Sequence, residues 1–340
     1  MAGGKGERFW PWSREKRPKQ LLPLFGKKTM IEMTVERLAP LVPRQRVWIV
    51  TNAAQARAMK RLMPSFPKKN FIVEPVGRDS GGAVMLGCAT VAARDPDAVM
   101  ALLPSDSLIK DVSGYRRVLG ACFKAAAKEK LLLTIGTRPT HPSTAYGYIE
   151  RGARMSGAAR MFHVRRFVEK PKLQKAMRLV KSGRFYWNAG MFVWSAGAIR
   201  EALEKYSPAH AAGWAALGQN RRAYLASGFL KLPKISIDYA VMEKARNIGV
   251  AEAMFDWDDV GSWSAMAAHM PLDRNANASR GNVLLHDAKG CLVFGGKQMV
   301  AALGVRDLVI VQTDDATFIC HRDAAQRVKE LVKQLPPSLK

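Results

Sequence analysis

The spacing of hydrophobic positions changes several times along the first half of the chain, and each change predicts a new element. Four stretches have apolar residues at helical spacing: 29–41, 53–63, 80–93 and 115–128. Four short apolar runs predict strands: 46–51, 71–73, 99–103 and 131–136. This alternation of strands and helices implies a mostly parallel sheet covered by helices on both faces.

The pattern changes again after about Asp273. Short apolar runs separated by turns predict closely spaced strands: 283–285, 291–294, 299–303, 308–311 and 317–320. A last stretch with helical spacing covers 323–334. We therefore expect two domains, residues 1–272 and residues 273–340.

The loop at the start of the chain is the most informative segment. Its three glycines, Gly3, Gly4 and Gly6, let the backbone approach a ligand closely, and we interpret them as nucleotide contacts. Arg8 and Lys19 add a guanidinium and an ammonium, which suit a polyphosphate.

Two common phosphate-binding loops do not match this spacing. A P-loop has Lys and then Ser or Thr directly after its last glycine, where this chain has Glu7 and Arg8. A Rossmann loop has a third glycine three residues after Gly6, where this chain has Phe9. Neither of these two loop types therefore fits the chain.

The charge balance is strongly basic, with 54 Lys and Arg against 28 Asp and Glu and a net charge of +26. Such a chain attracts polyanions non-specifically, but no RNA-reading motif accompanies the charge, so we expect no specific nucleic-acid partner.

The longest nearly apolar run, 81–93, is shorter than the ~20 residues of a membrane helix, and no signal peptide is visible. We expect a cytoplasmic protein with no membrane partner.

The residues that follow the glycine loop narrow the choice of protein family. It contains Phe9-Trp10-Pro11, Ser13-Arg14 and Pro18-Lys19-Gln20. With the glycines, these motifs resemble the signature of the sugar-phosphate nucleotidyltransferases, and among them the mannose-1-phosphate guanylyltransferases. The resemblance runs from Gly3 to about Leu335.

This resemblance implies both a fold and a reaction. The implied fold is α/β: a Rossmann-like (GT-A-like) mixed sheet with helices on both faces, followed by a small left-handed β-helix-like domain. The implied reaction transfers a guanylyl group from GTP to α-D-mannose 1-phosphate, giving GDP-mannose and pyrophosphate.

Joining two polyanions at phosphorus requires cations and a metal held by carboxylates. Asp106 follows the predicted strand 99–103, so its carboxylate should lie at the carboxyl end of the sheet. The resemblance assigns Asp106, in Pro-Ser-Asp, and Asp259, in Trp-Asp-Asp-Val-Gly-Ser-Trp, to Mg²⁺. It leaves the neighbouring Asp258 outside the metal site.

Several residues resemble the sugar-binding positions of the family. They are Tyr146, Gly147, Glu169, Lys170, Asn188 and Asp238. Glu169 suits sugar hydroxyls as an acceptor, and Lys170 suits the phosphate of the sugar, so we class Lys170 with Arg8 and Lys19 as catalytic. Ala145 stands where the family has a glycine.

The base-binding loop is less close to the family pattern. We interpret Glu74, Arg78, Asp79 and Ser80 as nucleotide contacts. The family has Arg-Asn-Thr followed by Ala-Pro-Ala, so Asp79, Ser80 and Gly82 depart from it. An acceptor such as Asp79 still matches the N–H donors of guanine, and we expect GTP.

The sequence at the two ends of the chain leads to two further expectations, one about where the natural protein begins and one about an isomerase domain. A loop of this kind normally follows a buried strand, of which Met1-Ala2 supplies at most the last residues. Because a missing central strand would leave backbone groups unpaired, we expect the natural protein to begin upstream.

Some relatives carry an additional mannose-6-phosphate isomerase domain, for which this chain stops too early, so we expect no isomerase activity.

Three other hypotheses stay open. The chain could be a nucleotidyltransferase for another base or hexose, a non-catalytic relative that binds a nucleotide sugar and regulates a partner, or a polyanion-binding protein. The presence of Arg8, Lys19, Asp106 and Asp259 argues against the non-catalytic relative. A homodimer is one option for the oligomeric state, which the sequence leaves open.

Overall fold

The computed structural model describes residues 1–4, 6–156 and 160–340. Its α-helices are α1 (Met30–Glu36), α2 (Ala53–Leu62), α3 (Asp79–Ala92), α4 (Val112–Lys128), α5 (Leu173–Lys181), α6 (Ala196–Tyr206), α7 (Pro208–Ala223), α8 (Trp263–Ala267) and α9 (Val328–Gln334). Its strands are β1 (Ile49–Asn52), β2 (Phe71–Glu74), β3 (Val99–Leu102), β4 (Leu132–Thr137), β5 (Tyr148–Arg154), β6 (Met161–Val168), β7 (Phe185–Ser195), β8 (Ile248–Glu252), β9 (Ala278–Arg280), β10 (Val283–His286), β11 (Leu292–Phe294), β12 (Val300–Leu303), β13 (Leu308–Gln312) and β14 (Thr317–His321). None of the described helices is long and apolar enough to cross a membrane.

The chain divides into two compact units. The first contains Met1–Gly3, Val35–Ser105 and Ile109–Asp258. The second contains Gly4–Thr34, Asp106–Leu108 and Asp259–Lys340. This grouping differs from a division at residue 272, because Phe9 and Trp10 share one apolar cluster with Phe294 and Phe318. Burial of apolar surface thus joins the glycine-loop segment to the C-terminal strands.

The first unit contains a six-stranded sheet with the order β3-β7-β4-β8-β6-β5, in which β5 also pairs with β7. Within this sheet of described residues, β4–β8 is the parallel pairing and the others are antiparallel. The mixed sheet that the resemblance implied is confirmed. The mostly parallel sheet expected from the alternation is wrong, because β7 lies between β3 and β4 and runs antiparallel to both.

Successive residues of β4 and β7 face two different apolar clusters. Leu132 and Trp194 pack in the cluster that contains α3, α6 and α7. Leu133 and Val193 pack in the cluster that contains α4. Because neighbouring side chains of a strand point to opposite faces, helices cover both faces of the sheet, as expected.

Strands β1 and β2 form a separate parallel pair. The Ala2 N–H donates to the Val50 carbonyl at 2.8 Å, and the Met1 amino group donates to the Leu103 carbonyl at 2.8 Å. The first two residues therefore hydrogen-bond both to β1 and to the residue that follows β3.

The C-terminal strands of the second unit form two small sheets. Strands β9, β11 and β13 pair in parallel, with β14 antiparallel to β13. Strands β10 and β12 form a second parallel pair. Up to β13, consecutive strands alternate between the two sheets, which is the pattern of a β-helix. The terminal helix expected over 323–334 consists of a 3₁₀ helix, Arg322–Arg327, and α9.

Candidate active site

The glycine loop packs closely against the Pro-Lys-Gln motif. Gly6 has a φ of +64°, and a Cβ atom there would lie 2.6 Å from both Cβ and N of Lys19. The Gln20 side chain donates to the Gly4 carbonyl at 3.0 Å. A Cβ atom on Gly4 would meet no atom within 4 Å, so there is room for a ligand beside the backbone. Lys5 lies outside the described residues.

Lys19 brings together the two aspartates that the resemblance assigned to a metal. Its side chain is 7% exposed, and Nζ donates to Oδ2 of Asp106 at 3.1 Å and to the carbonyl oxygen of Asp259. The Asp106 side chain is 39% exposed. A buried ammonium therefore sits between oxygens of both residues, and one carboxylate stays accessible.

Arg8 and the Asp259 carboxylate converge on Gly261. A Cβ atom on Gly261 would lie 3.0 Å from Nη1 of Arg8 and 2.8 Å from Oδ2 of Asp259. The intervening Val260 is buried and has a φ of +46°, a conformation that β-branched residues rarely adopt. Such backbone strain concentrates at functional sites. The Asp-Val-Gly motif thus places a carboxylate beside a guanidinium.

Gln326 holds the Arg8 side chain and was not among the predicted site residues. Its Oε1 accepts a hydrogen bond from Nη1 of Arg8 at 3.1 Å. Gln326 lies in the 3₁₀ helix Arg322–Arg327, and nothing in the surrounding sequence marks it as a partner of the glycine loop.

The residues present suit a divalent cation. Asp106 and Asp259 supply carboxylate oxygens, and oxygens of both already bind a cationic group, the Lys19 ammonium. No cluster of three or more His, Cys, Asp or Glu that could hold a metal occurs in the part of the chain that the structure describes. Two protein carboxylates, completed by phosphate and water oxygens, are typical of hard cations at nucleotide sites.

In the first unit, Asn188 on β7 connects several predicted sugar contacts. Its Nδ2 donates to Oδ1 of Asp238 at 3.0 Å, and its Oδ1 accepts from Oγ1 of Thr134 at 3.0 Å. Burial, together with the charge of Glu169, raises the pKa of Asp238 to about 6. The amide thus orients a carboxyl group that is easily protonated.

Glu169 and Lys170 form an ion pair beside Gly147. A Cβ atom on Gly147 would lie 2.5 Å from Oε2 of Glu169, so glycine leaves the room that this carboxylate fills. The Glu169 side chain is 5% exposed and bonds to the Lys170 ammonium. Burial lowers the pKa of Lys170, but Glu169, Asp238 and Tyr239 outweigh it and the pKa is raised.

Glu243 supports this pair and was also missed as a site residue. Its Oε1 accepts the backbone N–H of Glu169 at 2.9 Å. The following residue, Lys170, has a φ of +41°. The one signal in the sequence is that Glu243 lies five residues after Asp238, a predicted sugar contact.

Tyr146 lies in an aromatic cluster. Its ring stands edge-on to Trp187 and Trp257, with centroids 4.9 Å and 5.5 Å away. The buried indole Nε1 atoms of both tryptophans have no hydrogen-bond partner among the described residues. The structure thus gives Tyr146 a packing environment, and it leaves two buried donors close to the Tyr146 ring.

The base-binding loop is tied to the segment that carries Asp238. Asp79 has a φ of +59° and accepts the Ser80 N–H at 2.8 Å. Ser80 Oγ accepts the N–H of Ile237 at 3.0 Å. Because Ile237 directly precedes Asp238, the departure from the family pattern at Ser80 keeps a hydroxyl that links the two loops.

The remaining base-loop residues surround the start of α3. Arg78 precedes the helix, and a Cβ atom on Gly82 would lie 2.7 Å from Cβ of Arg78, so glycine lets this arginine pack against the helix. Glu74 ends β2, and burial raises its pKa to about 7 despite the Met1 ammonium, which lowers it. A Cβ atom on Gly3 would lie 3.5 Å from Oε2 of Glu74.

The predicted residues therefore form one group in each unit. The second unit holds Gly4, Gly6, Arg8, Lys19, Asp106 and Asp259. The first unit holds Gly3, Glu74, Arg78, Asp79, Ser80, Tyr146, Gly147, Glu169, Lys170, Asn188 and Asp238. Cations and carboxylates are hydrogen-bonded within each group.

Comparison with known proteins decides the family. The sequence model of the nucleotidyl transferase family matches residues 1–275, and that of the MannoseP isomerase/GMP-like β-helix domain matches residues 281–335. A mannose-1-phosphate guanylyltransferase from Klebsiella pneumoniae is 36% identical over 348 residues, which cover 98% of this chain and 73% of that protein. The chain belongs to the mannose-1-phosphate guanylyltransferase family.

Other relatives agree with this assignment. Xanthan biosynthesis protein XanB from Xanthomonas campestris pv. campestris (strain B100) is 37% identical over 98% of this chain and 72% of its own length. A crystal structure from Thermus thermophilus, named "mannose-1-phosphate geranyltransferase", is 39% identical with a TM-score of 0.90, covering 98% of this chain and 97% of that one.

The family, the enzyme class and the C-terminal β-helix-like domain expected from sequence are confirmed. As a mannose-1-phosphate guanylyltransferase family member, the chain is a nucleotidyltransferase. Enzymes of this family act on a nucleoside triphosphate and a sugar phosphate and generally use a divalent metal.

Proposed function

We propose that this chain transfers the guanylyl group of GTP to α-D-mannose 1-phosphate and releases pyrophosphate. The observation that carries the proposal is the cluster in the second unit, where the Lys19 ammonium bonds to Asp106 and Asp259 beneath an open glycine loop. A buried ammonium that bonds to the Asp106 carboxylate and to the Asp259 carbonyl, close to a glycine loop with open backbone, suits a metal-bound triphosphate.

In this reaction a phosphate oxygen of mannose 1-phosphate attacks the α-phosphorus of GTP. The new P–O bond forms as the bond to the pyrophosphate oxygen breaks, and no covalent protein intermediate is needed. Arg8 and Lys19 neutralise charge on the triphosphate, and Gln326 orients Arg8. Asp106 and Asp259 would hold Mg²⁺, which when bound supplies further positive charge to the phosphates.

The first unit supplies the contacts to the sugar and the base. Glu169 and Asp238 accept hydrogen bonds from mannose hydroxyls, and Lys170 binds the sugar phosphate. Asn188 orients Asp238 through its amide. Asp79, with Arg78, Ser80 and Glu74, contacts guanine and the ribose.

We place this activity in the cytoplasm. The four cysteines carry free thiols, which fits a reducing compartment. Nucleoside triphosphates are the substrates that such a compartment provides.

The base-binding loop departs from the family pattern at Asp79, Ser80 and Gly82. The second candidate function is therefore the same transfer with another nucleoside triphosphate. One assay separates the two: pyrophosphate release measured for four nucleoside triphosphates, each with several hexose 1-phosphates. GTP with mannose 1-phosphate should have the highest kcat/KM. A higher value for another pair would establish the second candidate, and no release with any pair would refute both.

A matched variant tests the role of Lys19. Lys19→Ala should lower turnover by roughly 10²-fold or more, as expected for loss of a preorganised charge partner. Near-normal turnover in a folded Lys19→Ala protein would remove Lys19 from the catalytic group.

A further inference from the structure

The Lys19 ammonium is fixed in the position from which it binds Asp106. The side chain is 7% exposed, and its Cβ and N leave no room for a side chain at Gly6. Nζ lies 5.9 Å from the centre of the Phe9 ring and donates to Asp106 Oδ2 and to the Asp259 carbonyl. Packing thus holds a positive charge on Oδ2 of Asp106, an oxygen that the proposed function assigns to a metal.

We propose that Lys19 and a divalent cation compete for the carboxylate of Asp106, so that Lys19 weakens the binding of a free metal ion. This inference rests on the metal role of Asp106 in the proposed function. It goes beyond that function because it gives Lys19 a second effect, on metal affinity in the nucleotide-free protein.

The competition follows from charge and from hydrogen bonding. The ammonium donates to Oδ2 at 3.1 Å, and this oxygen must turn a lone pair toward any metal that it ligates. A cation bound there would stand within a few ångströms of the ammonium, and the two positive charges would repel. Lys19 is almost buried, whereas the Asp106 side chain is 39% exposed, so water screens this repulsion only partly.

The test is a titration of the nucleotide-free protein with Mn²⁺, followed by the electron paramagnetic resonance signal of the free ion. Lys19→Met keeps the apolar stem and removes the charge, and it should tighten Mn²⁺ binding by roughly tenfold. Lys16→Met removes the same charge from an exposed lysine nearby in the sequence, and it should leave the affinity unchanged. Lys19→Gln repeats the test with a polar side chain if Lys19→Met fails to fold.

Asp106→Asn separates the failure of this inference from the failure of the metal assignment. If Lys19→Met and Lys19→Gln bind Mn²⁺ as weakly as the wild type while Asp106→Asn binds it more weakly still, the competition is wrong and Asp106 keeps its metal role. If Asp106→Asn binds Mn²⁺ as tightly as the wild type does, Asp106 is not a metal ligand. Both the metal assignment and the competition with Lys19 are then wrong. If Lys16→Met tightens Mn²⁺ binding as much as Lys19→Met does, the effect comes from net charge alone and the competition is wrong.

Discussion

A Cβ atom on Gly6 would lie 2.6 Å from both the Cβ and the backbone N of Lys19. Gly6 also has a φ of +64°, in the left-handed region that favours glycine. The last glycine of the loop and the lysine of the Pro-Lys-Gln motif therefore pack as one piece, although twelve residues separate them in the chain.

Gly6→Ala should destabilise the protein and displace Lys19. A left-handed non-glycine residue costs about 1–2 kcal/mol, and the clash with the Lys19 backbone adds to this. Gly4→Ala is the matched control, because a Cβ atom there meets nothing within 4 Å. Thermal unfolding of the two variants beside the wild type should show a lower Tm for Gly6→Ala alone; equal losses would contradict the packing argument.

The neighbouring aspartates Asp258 and Asp259 should respond differently to loss of charge. Asp259→Asn removes the carboxylate that converges with Arg8 on Gly261, so activity should vanish or require much more magnesium. Asp258→Asn should have a mild effect. Initial rates measured over a magnesium series check this, and the reverse order of severity would rule out Asp259 as a metal ligand.

The raised pKa of Asp238 predicts a pH-dependent stability. The folded protein keeps a proton on Asp238 up to about pH 6, whereas the unfolded chain releases it near 3.8. The unfolded state thus binds fewer protons in this window, so the contribution of Asp238 to the free energy of unfolding falls as pH rises from about 4 to about 6.

Asp238→Asn removes this titration and keeps an oxygen that can accept from Asn188. The variant should therefore gain stability over the wild type with rising pH, by on the order of 1–2 kcal/mol after allowance for partial solvent exposure. Urea unfolding at pH 4.5, 6 and 7.5 measures the difference. A difference that is flat with pH would mean that Asp238 titrates normally.

Glu243 should affect sugar binding through the Glu169 backbone. Glu243→Gln keeps an oxygen that can accept the Glu169 N–H, whereas Glu243→Ala does not. We expect the KM for mannose 1-phosphate to rise several-fold in Glu243→Ala and to stay near the wild-type value in Glu243→Gln, since a net hydrogen bond contributes roughly 0.5–1.5 kcal/mol. Equal effects in both variants would indicate that the charge matters instead, and an unchanged KM in both would exclude Glu243 from the site.

Local features of the sequence determined much of the secondary structure and the glycine loop. The helix expected over 53–63 is found at Ala53–Leu62. In the stretch expected to be helical from residue 29, Thr29 and Glu32 form a capping box, in which the Thr29 N–H donates to Glu32 Oε2 at 2.8 Å. Helical periodicity and capping depend on residues three or four apart, so they can be read directly from the chain. The motifs around Lys19, Asp106 and Asp259 likewise predicted three residues that hydrogen bonds connect in the structure, and their role in the site stays a prediction.

Only the tertiary structure decided the strand order and the partners of the site residues. Strand β7 lies between β3 and β4, which the sequence had predicted to be parallel neighbours. Gln326 accepts a hydrogen bond from Arg8, and Glu243 accepts one from the backbone of Glu169. Strand pairing and side-chain hydrogen bonds across long sequence separations depend on which surfaces the folded chain brings together. A local pattern of polar and apolar residues contains the propensity of each strand, but it does not contain the direction or the neighbour that packing assigns to it.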